Sequence, residues 1–239
     1  MTRSLPNSAR LLIGVVAAAS LVPMISGGLR WQEHNLLPLL SLLAVTVLTS
    51  KLKVRLPGLT STMSVNLPFL LLAVAKLTLL EVSLVAIAAG LAQCLGSSGR
   101  PEPVKVLFSV CNLVNAVAAA FVVFHHAGVE GKLTTSALWT AAAAVTYFMA
   151  NTIPVATVIA ISENLMPSKV WSEFFLWTFP YYAMGTGVAA IVGSVRTAVW
   201  ISMLPAAMIA YGVYLSYTMY VARAEAMTSP HAMAASAGH

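Results

Sequence analysis

The sequence predicts an all-α polytopic membrane bundle of about eight transmembrane helices. Two observations predict it: hydrophobic residues make up 59% of the 239 positions and charged residues only 8%, and the apolar residues fall into repeated runs with the charges between them. A soluble domain carries about a quarter charged residues, so this composition belongs in a bilayer. Mean hydropathy is +0.86, and Asp is absent. No comparably long polar stretch interrupts the pattern. Residues 1–222 therefore read as one integral membrane domain.

A spanning helix needs about 20 apolar residues. The first run, Leu11 to Ile25, follows Arg3 and Arg10 and so imitates a secretory signal, with Ala18, Ala19 and Ser20 imitating a cleavage site. A retained first helix is the expectation, because the rest of the chain is membrane-embedded; cleavage is the alternative. The run from Leu36 to Leu48 is short and extends back towards Trp31. Next comes Lys51 to Asn66, the longest cytoplasmic connection. Its cations Lys51, Lys53 and Arg55 alternate with Leu and Val, which suits a segment lying along anionic headgroups, and Pro57-Gly58 marks a turn.

Leu67 to Leu95 is about 43 Å long as one helix, too much for a single upright span. Lys76, Thr78, Glu81 and Ser83 cluster near its centre. Buried in hydrocarbon, the cation and the carboxylate would cost about 2.5–3.5 kcal/mol each. Two short helices joined by a surface turn avoid that cost. The remaining runs are Val104 to Phe124, Ser136 to Ile161, Phe174 to Gly193 and Ala198 to Ala222. The tail, 223–239, is rich in Ala, Ser and Met without a periodic apolar face, and reads as disordered.

The charges orient this arrangement. With eight spans, Arg3, Arg10, Lys51, Lys53, Arg55, Arg100, Lys105, Lys169 and Arg223 lie inside, against Arg30, Lys76, Lys132 and Arg196 outside. With seven spans the split weakens and Lys76 is buried. The positive-inside rule thus prefers eight spans, with both termini cytoplasmic. The same rule accounts for the 13 Lys and Arg against 7 acidic residues, so no nucleic-acid partner is implied; the lipid bilayer is the expected partner. Cys94 and Cys111 both sit in apolar runs and read as inert buried thiols.

Four blocks carry a family resemblance: Leu56-Pro-Gly-Leu-Thr-Ser-Thr-Met-Ser-Val65, Pro103-Val-Lys-Val-Leu-Phe108 leading into Asn112, Tyr147-Phe-Met-Ala-Asn-Thr-Ile-Pro154, and Trp171-x-Glu-x-x-x-Trp177-x-x-Pro-Tyr-Tyr182. In order and spacing they span about Leu36 to Ala222 and resemble the multi-pass membrane-associated sensor domains of bacteria. Such domains often precede cyclic-di-nucleotide modules of the GGDEF or HD-GYP type. The resemblance implies a bacterial inner-membrane location, a sensing role and a cytoplasmic signalling partner. Here no GGDEF, EAL, HD-GYP or kinase sequence follows Tyr214 to Arg223. Catalytic activity is therefore not carried over.

The candidate site is built of amides. Asn112 and Asn115, at i and i+3, share a helical face in the middle of an apolar segment, where amides must find hydrogen-bond partners. Asn112 lies about 12 Å from the cytoplasmic end of its helix, and Asn151 at a similar depth in its own. Tyr147 shares the face of Asn151, and Pro154 frees a backbone carbonyl nearby. Gln93 and Tyr181 fall slightly shallower. Glu173, taken to begin a helix, could bond the amides or a cationic ligand. Against a ligand pocket stands the reading that these groups only staple helices together. Trp171, Trp177, Tyr181 and Tyr182 read as interfacial anchors.

His34, His125, His126 and Glu130 fall at the opposite face without ordered ligand spacing, and read as solvated. No metal or cofactor is expected. Without Asp and without a Ser-His or Cys-His arrangement, enzyme chemistry has no support. The sequence thus leads to a stand-alone membrane sensory or ligand-binding domain. A small-solute transporter component and a structural protein without ligand are the alternatives.

Overall fold

The computed structural model describes residues 5–29, 36–55, 62–64, 66–95, 102–126, 133–175, 179–194 and 211–212. Its helices are α1 (Asn7–Leu29), α2 (Leu36–Ser50), α3 (Leu67–Lys76), α4 (Leu79–Leu95), α5 (Pro103–His126), α6 (Leu133–Glu163), α7 (Pro167–Val170) and α8 (Phe179–Ser194). A π-helical turn, Trp171–Phe175, continues α7. Three of these, spanning Asn7–Leu29, Pro103–His126 and Leu138–Glu163, are long and apolar enough to cross a bilayer. This is an all-α membrane protein.

The connection between α2 and α3 departs from expectation. Strands β1 (Lys53–Arg55) and β2 (Thr62–Ser64) pair antiparallel, Lys53 opposite Ser64 and Arg55 opposite Thr62. The alternation of cations with apolar residues was a period-two strand signal as much as a headgroup signal. Pro57 and Gly58 lie outside the described residues.

Helix α3 is the centre of the bundle. Every residue from Leu67 to Val74 is buried, and α3 packs against α2, α4, α5, α6 and α8. A helix apolar all round suits such enclosure. At ten residues it is about 15 Å long, half the thickness of a bilayer core. Its start is tied to the end of α2, where the buried Asn66 Nδ2 donates to Ser50 Oγ at 3.0 Å.

The chain does break between α3 and α4, at Leu77 and Thr78. The break is a capping box. Glu81 Oε2 accepts from both the backbone N–H and the hydroxyl of Thr78, each at 2.8 Å, and Glu81 N–H faces Thr78 Oγ1 at 3.4 Å. The expected surface turn is only partly one. Lys76 is exposed, whereas Glu81 and Ser83 are buried, because α1 covers the start of α4. Gly27 makes that approach possible: a Cβ there would lie 2.8 Å from the Leu80 backbone nitrogen.

The rest of the bundle is arranged around α5, which packs on α1, α3, α4 and α6. Helix α1 is built into this core through Ile13 and Val16 against Phe108. Cys94 and Cys111 are half-buried free thiols. The expected last span, Ala198 to Ala222, and the tail lie outside the described residues apart from 211–212.

Candidate functional site

The C-terminal end of α6 sets up the site. Asn164 adopts a left-handed backbone (φ 56°), and Leu165 N–H returns to the Ala160 carbonyl at 2.8 Å. This is the helix-ending geometry in which an Asn can replace Gly. Pro167 then opens α7, and the π turn begins at Trp171. Helix α8 brings the chain back along α6.

Asn112 and Asn151 meet where α5 crosses α6. Asn112 Nδ2 donates to the Asn151 backbone carbonyl at 2.8 Å and to Asn151 Oδ1 at 3.1 Å. Pro154 lacks an N–H, so the α6 backbone is short of a donor one residue away, at the Ala150 carbonyl. Asn151 Nδ2 in turn donates to the Tyr182 hydroxyl oxygen at 3.3 Å. The chain of donors thus runs from α5 through α6 to α8.

Aromatic rings extend it. The Tyr182 ring meets Phe148 edge-on at 4.7 Å between centroids and lies 6.0 Å from Tyr147. Trp171 lies 5.9 Å from Phe148, and its indole N–H donates to Thr152 Oγ1 at 2.9 Å. Thr152 Oγ1 donates to the Phe148 carbonyl at 2.7 Å. Trp171 thus packs a half-buried indole against α6 and the adjoining core.

One polar atom stands apart. Asn112 is 2% exposed, and its Oδ1 has no hydrogen-bond partner among the described residues. Rotating the amide does not relieve this, because the Asn151 carbonyl can only accept and therefore holds Nδ2 in place. A buried acceptor left so costs about 1–3 kcal/mol.

The predicted site residues scatter around this node. The Tyr147 ring lies 6.0 Å from that of Tyr182, and Asn151 bonds Asn112. Asn115 does not: its Nδ2 donates to the Val16 carbonyl of α1 at 2.9 Å, so the two amides of one face serve opposite neighbours. Gln93 is half-buried, and its side chain makes no hydrogen bond with the described residues. Glu173 lies inside the π turn and does not begin a helix; its side chain and that of Tyr181 lie outside the described residues. Sequence reasoning missed Tyr182, Thr152 and Trp171 as members. Tyr182 was legible only as one of two adjacent tyrosines. Every residue of the network is uncharged. Its chemistry is hydrogen bonding between neutral groups. No family model, curated protein or solved structure matches the chain.

Proposed function

We propose that the chain is a ligand-binding sensory domain of the bacterial cytoplasmic membrane, without enzymatic activity of its own. In this reading it passes a conformational bias to a cytoplasmic partner protein. The single observation that carries the reading is Asn112 Oδ1, a buried acceptor without a partner among the described residues, in a network otherwise joined across three helices. Buried polar atoms in native proteins are partnered in the great majority of cases, so such an atom calls for a donor from elsewhere. The resemblance adds support, since two of its blocks supply Tyr147, Asn151, Thr152, Trp171 and Tyr182. The excess of cations on the side assigned to the cytoplasm orients both termini inward.

The test is thermal stability of detergent-purified protein against a metabolite panel, repeated with Asn112→Ala and Asn151→Ala. A stabilising compound whose effect both variants abolish supports a pocket. Silence across the panel, with both variants merely less stable, leaves only helix stapling.

A second reading, a small-solute transporter component, is favoured by α3. Short half-helices whose ends meet inside the bundle, as Ser50 and Asn66 do, are how transporters build substrate sites. Uptake into vesicles containing the protein alone would support it.

A further inference from the structure

We propose that Asn112 Oδ1 receives the N–H or O–H of a small uncharged organic donor, of the primary-amide or alcohol class. This rests on the ligand-binding reading above and names the chemistry of its ligand. The amide is held in one orientation by the Asn151 carbonyl, so the oxygen always faces away from α6's acceptor. It is also enclosed, with Asn112 only 2% exposed.

The surroundings select the ligand's charge. On the face of α5 that carries Asn112, the residues one turn either side, Phe108 and Ala116, are apolar and buried, and Tyr147 and Phe148, one turn before Asn151 on α6, are buried too. A carboxylate or phosphate would set its lone pairs against those of Oδ1. A cation would enter apolar surroundings in which the network offers no counter-charge, a costly arrangement inside a membrane protein. A neutral donor satisfies the oxygen and meets neither penalty. Water shares this donor chemistry, so the test separates it from an organic solute.

The experiment uses the full chain in detergent and compares acetamide with N,N-dimethylacetamide, which has no N–H. Acetamide is expected to give a saturable rise in Tm of about 3 °C over its dimethyl analogue, the size that modest occupancy of one site produces. Asn112→Leu removes the difference; Asn112→Val serves if that variant does not fold. Thr46→Val, which removes the other buried polar atom without a partner among the described residues, a hydroxyl, retains it. Equal responses to the two amides, as when water alone serves the oxygen, would overturn the proposal. So would a difference that survives in Asn112→Leu, or an acetate response matching that of acetamide. If the metabolite panel yields a charged stabiliser lost in Asn112→Ala, the ligand-binding reading stands and this assignment of chemistry falls. Silence in the panel together with equal amide responses takes down both.

Discussion

Asn112 grips Asn151 twice, through the backbone carbonyl at 2.8 Å and the side-chain oxygen at 3.1 Å. One amide thereby fixes both the crossing of α5 over α6 and the orientation of the next amide, which reaches Tyr182. Interhelical hydrogen bonds in membranes average about 0.6 kcal/mol and rarely exceed about 1.7. This pair belongs at the upper end, because both bonds are lost together.

A double-mutant cycle tests that coupling. Asn112→Ala and Asn151→Ala should each lower stability by about 1–2 kcal/mol in detergent unfolding, and the double variant by clearly less than the sum. Additivity within about 0.3 kcal/mol would show the amides acting independently.

The capping box at Thr78 and Glu81 predicts an order of variants. Thr78→Ala should cost about 1 kcal/mol, the usual cost of losing an N-cap. Glu81→Gln keeps an oxygen for the Thr78 N–H and should cost less than Glu81→Ala. If Glu81→Ala proves the milder of the two, the carboxylate is not what holds the break.

Two adjacent glycines of α1 should respond oppositely to alanine. At Gly27 the added Cβ meets the Leu80 backbone nitrogen at 2.8 Å, and backbone cannot step aside cheaply, so a loss of about 1–3 kcal/mol follows. Gly28 has nothing within 4 Å, and Gly28→Ala should be neutral or stabilising by up to about 1 kcal/mol. Thermal melts of the two variants side by side decide it.

The indole of Trp171 gives a spectroscopic prediction. Its emission should be blue relative to an exposed tryptophan, and Thr152→Val should shift it, since the N–H loses its acceptor at 2.9 Å. An unchanged spectrum in a protein whose only tryptophan is Trp171 would place the indole elsewhere.

Orientation is open to direct measurement. A reporter fused after Ala222 should read cytoplasmic, as the distribution of Lys and Arg requires. A periplasmic signal would sink the eight-span arrangement.

The sequence by itself determined the membrane-embedded, helical character of this protein, because bilayer solubility and helix length depend on composition and run length alone. It also exposed the break in Leu67 to Leu95, since a lysine and a glutamate cannot sit comfortably mid-helix in hydrocarbon, and it singled out Asn112 and Asn151 as amides in need of partners. What those partners are was a tertiary decision. Asn115 shares a face with Asn112 yet bonds α1, because α5 packs on both α1 and α6 and one face of it touches both. Trp171 and Tyr182 look like interfacial residues in one dimension, yet Trp171 bonds Thr152 of α6 and Tyr182 is buried against Phe148. Periodicity tells which residues share a side of a helix. Only packing tells which neighbour that side meets, and whether an oxygen such as Asn112 Oδ1 finds a donor there.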